Sequence, residues 1–244
     1  MELIIRLNNQ SSGRDKIARL LQYGSKATCH YLQDRPLDRP TIEKLQNLEY
    51  SFSAFRRLLR LGRFLDTLYG ALSTIHHSDI IVRITVTLSR ISSALSLLAD
   101  HILWVGRTGF MTVDSNRWNT VSSKYWLYSV VMSLIRDVYE IWRVFSCQGE
   151  NRSRFPTTSK SSQDGVNSIH SIFPLNTIKT IQMFCVEHQN VAVDTFKNAC
   201  DIFIPLAALD YVRISPGAIG LLGVASTFAA ILQLLDPMKR LTPS

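Results

Sequence analysis

Apolar residues recur at intervals of three and four along most of the chain, and strict alternation of apolar and polar residues is scarce. A period near 3.6 residues is typical of amphipathic α-helices, because every third or fourth side chain then lies on one face. Pro36 and Pro40 predict a break after the first helix. The pattern predicts an all-α protein with helices over residues 11–33, 41–75, 79–104, 124–145 and 175–203.

The most apolar stretch, "ISPGAIGLLGVASTFAAILQLL" from Ile214 to Leu235, holds no charged residue in 22 positions. A helix of this length extends about 33 Å, just over a hydrocarbon core of about 30 Å. Gly217, Gly220 and Gly223 form one inclined stripe, where a second helix could pack closely. We interpret residues 214–235 as a transmembrane helix, and the alternative is a buried core helix of a soluble domain.

The stretch "FSAFRRLLRLGRFLDTLYGAL", from Phe52 to Leu72, combines a basic and an apolar side. On one continuous helix its four arginines fall within about 120° of arc, at 100° per residue. Such a helix can lie in a membrane interface, where each basic residue contributes about 1 kcal/mol near anionic lipids. The alternative is an ordinary bundle helix with solvated arginines. The predicted membrane-binding residues are Phe52, Phe55, Arg56, Arg57, Leu58, Leu59, Arg60, Arg63, Leu65, Leu68 and Tyr69.

Charged residues interrupt the other apolar regions. Only nine residues separate Arg90 from Asp100, and nine residues of helix reach only about 13 Å. A charge at the bilayer centre costs roughly 2.5–3.5 kcal/mol on an insertion scale. Arg136 and Asp137 interrupt residues 125–145 in the same way. We therefore expect bundle helices or shallowly inserted helices in these regions, and no second simple span.

The composition divides the chain and limits its partners. Lys and Arg total 27 against 19 Asp and Glu, which suits an anionic membrane or a nucleic acid. No nucleic-acid-binding motif occurs, so the membrane is favoured. A Ser-rich linker is predicted at residues 146–170, between a helical membrane-remodelling region (1–145) and a C-terminal helical region (171–244). The four scattered cysteines predict neither a zinc site nor a disulfide framework, and favour a reducing compartment.

Candidate chemistry is sparse. His76 and His77 are adjacent, so their side chains diverge by about 100° on a helix and form no two-ligand face. No Gly-rich phosphate loop, nucleophile elbow or HExxH motif occurs. Arg136 and Asp137 are better explained as an intrahelical ion pair than as acid–base groups. We predict no catalytic residues, no metal ligands and no cofactor.

Five segments together resemble the peroxin-11 family of peroxisomal membrane proteins, and the similarity is spread in order over nearly the whole chain. It is greatest to the animal alpha and beta forms. The segments are "NNQSSGRDKIARLLQYG", "FRRLLRLGRFLD", "DHILWVGRTGF", "LIRDVYEIWR" and "KNACDIFIPLAALDYVRISPGAIGLLG".

The resemblance implies a protein that elongates and divides peroxisomes, with both ends in the cytosol. Phe52–Leu72 would insert in the outer leaflet, Ile214–Leu235 would be the anchor, and another span would lie near Ser93–Val105. Lys239 and Arg240 agree with a cytosolic end. The implied partners are anionic phospholipid, further copies of the chain, fission adaptors with dynamin-type machinery, and a membrane-protein import receptor.

A second hypothesis for the same family resemblance is a permeability factor, in which several copies line a pore for small metabolites. Interrupting charges in the apolar regions would then face water. The residues concerned are Arg83, Arg90, Asp100 and Arg136.

Overall fold

The computed structural model describes residues 10–33, 39–153 and 188–236. These residues contain helices and no strand, which confirms the all-α prediction for the described part of the chain. In chain order the helices are α1 (Ser11–Leu32), α2 (Arg39–Leu59), α3 (Arg63–Thr74), α4 (Ile80–Arg107), α5 (Ser115–Ser153), α6 (Gln189–Asp201), α7 (Phe203–Ala208) and α8 (Pro216–Leu235).

The basic segment is not one helix, as the sequence predicted, but two. Helix α2 ends at Leu59 and α3 begins at Arg63. Gly62 adopts a left-handed conformation with φ of 77°, which glycine tolerates without a steric penalty. Its backbone N–H donates to Nε2 of His101 on α4 at 2.9 Å. The projection of residues 52–72 on a single helix was therefore wrong, because it ran through this turn.

Helices α4 and α5 pack through paired serines. The Ser89 hydroxyl lies 2.9 Å from the carbonyl oxygen of Ser129 and 2.8 Å from the Ser133 hydroxyl. Two turns further along, the Ser96 hydroxyl donates to the carbonyl oxygen of Ser122 at 3.0 Å. Small polar side chains let two helices approach closely and hydrogen-bond across the interface. This contact fixes the two longest described helices against each other.

Helix α8 packs against α1 along the predicted glycine stripe. Ser215 caps its first turn, and Pro216 occupies the first helical position, where its missing N–H has no cost. A Cβ at Gly220 would lie 2.7 Å from the backbone nitrogen of Ala27. A Cβ at Gly217 would likewise lie too close to the His30 side chain, and a Cβ at Gly223 too close to the Tyr23 ring. The stripe is thus already occupied by a helix of the same chain.

The segments before and after the predicted linker are in contact with each other. Helix α6 packs on α5 and α8, and α8 packs on α1. Helix α5 continues to Ser153, so the first residues of the predicted linker are helical. Residues 154–170 lie outside the described residues, as do 175–187 of the predicted helix over residues 175–203. The described helices on both sides build a common bundle.

Helix α4 carries an apolar stripe that points away from the bundle. Its exposed members are Ile80, Ile81, Ile84, Leu88, Ile91, Leu95 and Leu98. Both α4 and α8 are long and apolar enough to cross a membrane. Helix α4 includes Ser93–Val105, where the family resemblance implies another span, and Arg90 and Asp100 lie within the same helix. The charges are held by the protein: Arg90 donates to the Gly70 carbonyl, and Asp100 lies 2.8 Å from Arg60.

Candidate functional site

Helices α2 and α3 and the turn between them expose a set of large apolar side chains. Tyr69 is 79% exposed and Leu65 is 59% exposed, although both are side chains that usually pack in a core. We define this surface as the apolar face, formed by Phe55, Leu58, Leu61, Leu65, Leu68, Tyr69 and Leu72. Of the other predicted membrane-binding apolar residues, Phe52 and Leu59 are half-buried. Large apolar side chains exposed in such number within one segment are typical of a binding or membrane surface.

Three of the four predicted membrane-binding arginines turn inward instead. Nε of Arg56 lies 3.1 Å from a carboxylate oxygen of Asp15 on α1. Arg60 donates to Asp100 on α4 at 2.8 Å, and Arg57 lies 3.8 Å from the same carboxylate. The projection missed this orientation because the acidic partners belong to other helices. These arginines therefore do not form the lipid-facing basic side that the sequence predicted.

Arg63, at the start of α3, is exposed and keeps the surface position that the prediction gave it. It also lines a polar cavity of about 360 Å³ between α1, α2, α4 and α5. We call this space the charged cavity. Six basic and three acidic side chains line it, which leaves a formal excess of three positive charges. They are Lys16, Arg19, Arg56, Arg57, Arg60 and Arg63, with Asp15, Asp100 and Asp201.

Arg19, Asp201 and Ser226 join three helices at one side of the charged cavity. The Arg19 guanidinium forms an ion pair with Asp201 at the end of α6, and both side chains are at least nine-tenths buried. The Ser226 hydroxyl on α8 donates to the same carboxylate oxygen at 2.5 Å. Burial acts to raise the pKa of Asp201, but Arg19 and these hydrogen bonds outweigh it and hold the pKa below its ordinary value.

A second buried charge cluster links α5, α6 and α8. Arg136 pairs with Asp137 at 2.7 Å, which confirms the predicted intrahelical ion pair, and also with Asp194. Asn198 donates to Asp137 at 2.6 Å. Burial alone would raise the pKa of Asp194, but Lys197 and Arg136 bring it below its ordinary value. The charged and polar groups of this cluster are therefore paired with one another.

The permeability hypothesis predicts that four charged residues face water, and the structure gives the position of each. Asp100 lines the charged cavity. Arg136 is enclosed in the second cluster, and Arg90 is bound to a backbone carbonyl. Arg83 is half-buried on α4. The structure therefore places only one of the four residues in the cavity.

The sequence analysis missed Asp15, Lys16, Arg19 and Asp201 as parts of a common site. Asp201 lies in a stretch without other charges between Lys197 and Asp210, and that contrast is the signal that could have found it. Asp15, Lys16 and Arg19 lie in the charged run RDKIAR, which gives no such contrast. Within the described residues, no group of three or more His, Cys, Asp or Glu side chains is arranged to hold a metal ion. Cys29 and Cys200 are buried free thiols.

Apolar side chains on the outside, paired charges inside and two helices of membrane-crossing length are compatible with a helical membrane protein. The comparison with protein families identifies which one. The family described as Peroxisomal biogenesis factor 11 (PEX11) matches residues 1–235, and the chain belongs to this family.

Relatives of known name match over their full length. Peroxisomal membrane protein 11B of Homo sapiens is 32% identical over 259 residues, with 100% of both chains covered. Peroxisomal membrane protein 11A of Homo sapiens is 28% identical over 249 residues, with 99% of each chain covered. No solved structure matches the chain. The family comprises peroxisomal membrane biogenesis factors and is not a known enzyme family.

Proposed function

We propose that this protein elongates and helps to divide peroxisomes by burying the apolar face of α2 and α3 in the cytosolic leaflet of the peroxisomal membrane. The observation that carries the proposal is the exposure of seven large apolar side chains on two consecutive helices and the turn between them. Wedging a helix pair into one leaflet expands that leaflet relative to the other and favours a curved tubule. The family membership supports the peroxisomal setting.

The driving force in this proposal is apolar burial rather than arginine–phosphate pairing. Full burial of a Leu or Phe side chain is worth about 1.5–3 kcal/mol. Seven side chains that are roughly half exposed would together contribute about 5–10 kcal/mol on the same scale. Arg56, Arg57 and Arg60 would have a structural role, because their ion pairs hold α2 against α1 and α4. Arg63 alone among the four would contact lipid phosphates.

Helices α4 and α8 would anchor this wedge, with both chain ends in the cytosol. Lys239 and Arg240, on which the cytosolic end was argued, lie outside the described residues. Self-association would concentrate the wedge, but it would use a surface other than the glycine stripe, which α1 occupies. Fission adaptors, dynamin-type machinery and a membrane-protein import receptor are the further partners that we propose from the family.

The test uses the full-length protein reconstituted in liposomes that contain anionic phospholipid. The double substitution Leu65→Glu with Tyr69→Glu removes two exposed apolar side chains without touching the core. We expect the fraction of tubulated liposomes, counted by electron microscopy, to fall at least about tenfold, because a loss of 1.4 kcal/mol in insertion is already a factor of ten.

The matched control is His76→Glu with Ser78→Glu, which adds the same charges at exposed polar positions beside the apolar face. This variant should tubulate liposomes as the unsubstituted protein does. Equal tubulation by the Leu65/Tyr69 variant would contradict the proposal, and equal loss in the control would show that added charge alone is responsible.

A second candidate function is solute permeability, and the charged cavity is the observation that favours it. Arg63→Glu changes the charge of the cavity. Because Arg63 is exposed, the variant protein should still fold. If the cavity belongs to a pore, this variant should shift the reversal potential of reconstituted bilayers toward cation permeability. Arg117→Glu, an exposed arginine that does not line the cavity, should cause no shift. Bilayers without conductance would exclude this function.

A further inference from the structure

The charged cavity contains more positive charge than its own carboxylates compensate. Asp15 faces Arg56 and Arg60, and Asp100 faces Arg57 and Arg60. The remaining carboxylate, Asp201, is bound by Arg19 and Ser226. Burying an uncompensated charge is costly unless a counter-charge is supplied. The excess therefore indicates that an anion belongs in this space.

Two buried guanidinium atoms within the described structure have donor capacity left over. Nε of Arg19 and Nη1 of Arg57 have no hydrogen-bond partner, although both are removed from solvent. The Arg19 side chain is more than nine-tenths buried and lines the cavity. Arg57 uses its other nitrogens for Asp100 and Asn119. A buried N–H without an acceptor is destabilising, and a ligand oxygen would satisfy it.

The environment of Lys16 also favours a bound anion. Burial and the neighbouring guanidinium groups of Arg19 and Arg56 together lower the pKa of Lys16 from its ordinary value of 10.5 to about 7, against the opposing effect of Asp15 and Asp201. These four groups are the charges that face it from α1, α2 and α6. A bound dianion would restore the proton on Lys16 and add one more charge-assisted contact.

We propose that the charged cavity binds a phosphoryl group, contributed either by a free phosphate-type anion or by a phospholipid headgroup. Guanidinium groups match the oxygens of a tetrahedral phosphate in geometry as well as charge. Arg19 and Arg57 would donate the two unused N–H groups, and Lys16 would act as a third positive contact. The volume of about 360 Å³ is within the range of small-ligand sites and accommodates a phosphoryl group with part of its substituent.

The site differs from the apolar face in chemistry, and its test does not depend on membrane remodelling. The full-length protein is placed in flat nanodiscs, where no tubule can form. In the first arm the discs contain phosphatidylcholine only, and inorganic phosphate is added from solution. In the second arm the discs contain phosphatidylinositol 4-phosphate without free phosphate. Calorimetry measures phosphate binding in the first arm, and native mass spectrometry measures the retained lipid in the second.

We expect saturable binding to one site in one of the two arms, which then identifies the source of the phosphoryl group. Arg57→Gln should weaken that binding at least about tenfold, because a hydrogen bond to a charged group is lost. Arg143→Gln makes the same chemical change outside the cavity, where Arg143 pairs with Glu140, and should bind as the unsubstituted protein does. Lys16→Gln, which breaks none of the ion pairs named above, is the second variant should Arg57→Gln fail to fold.

Sulfate provides a pH test, because its charge does not change near neutral pH. Its affinity should fall as the pH rises through about 7, where Lys16 loses its proton. Lys16→Gln should bind sulfate more weakly and without this pH dependence. The proposal is overturned if neither arm shows saturable binding, or if Arg57→Gln, Lys16→Gln and Arg143→Gln bind alike.

Discussion

Asp201→Asn is expected to lower the free energy of unfolding by about 3–5 kcal/mol, the usual cost of removing one partner from a buried ion pair. Asparagine keeps the size of the side chain, so the loss reports charge rather than volume. The substitution leaves the buried Arg19 guanidinium beside Lys16 without the carboxylate that offsets it. It also weakens the Ser226 hydrogen bond that ties α8 to α6.

Tryptophan fluorescence during denaturant unfolding in detergent micelles measures this effect, because the Trp126 ring lies 6.0 Å from the Arg19 guanidinium. Asp210→Asn is the control, since Asp210 is exposed and its left-handed conformation suits asparagine equally well. It should change stability by less than about 0.5 kcal/mol. Similar losses in the two variants would mean that the ion pair is not what stabilises the bundle.

Two further measurements separate charge from packing at this site. Arg19→Met combined with Asp201→Asn removes both charges and should recover much of the stability that Asp201→Asn loses. The pH dependence has a defined sign, because Asp201 has a lowered pKa in the folded state. Its contribution is fully present above the unfolded-state pKa of about 4 and is lost as the pH falls through the lower folded-state pKa.

Gly220→Ala is expected to destabilise the contact between α1 and α8 by about 1–3 kcal/mol, and Gly220→Leu by more. A Cβ at this position would lie 2.7 Å from the backbone nitrogen and 2.9 Å from the Cα of Ala27. Backbone atoms cannot rotate aside as the end of a side chain can, so the two helices must separate. The substitution makes α8 more apolar, so it should not hinder membrane insertion.

Gly24→Ala on α1 is the matched control, because a Cβ there meets nothing within 4 Å. Alanine is the better helix former by about 1 kcal/mol, so this variant should be stabilised or unchanged. Replacing glycine by alanine should thus lower the stability at Gly220 but not at Gly24, although both are helical glycines. Thermal unfolding of both variants in the same detergent measures it, and equal shifts would contradict close packing at Gly220.

The helical pattern and the glycine stripe were visible in the sequence because both are local. Apolar spacing predicted most helices, and Gly217, Gly220 and Gly223 lie where a helix packs closely. The orientation of the basic segment was not local. Gly62 turned the chain between α2 and α3, and the acidic partners of the arginines lie 40 residues away or more, as Arg60 and Asp100 show. A one-helix projection contains no information about such partners.

The same limitation applies to α4, the second helix that is long and apolar enough to cross a membrane. Counting Arg90 and Asp100 as exposed charges argued against a crossing, because an unpaired charge in hydrocarbon is costly. In the structure Asp100 is paired with Arg60, in the turn between α2 and α3, and Arg90 donates to the Gly70 carbonyl of α3. The helix that carries them is therefore apolar toward the outside and charged toward the inside.

The ion pair between Arg19 and Asp201 joins residues 182 positions apart, and the glycine stripe of α8 receives α1 in the same way. During translation α1 therefore leaves the ribosome long before its partners exist. Until residue 201 has been synthesised, the buried arginine of α1 has no Asp201 opposite it, and the contact between α1 and α6 can form only after that point. A chaperone that shields α1 until then would act at the stage when the nascent chain is most prone to aggregate.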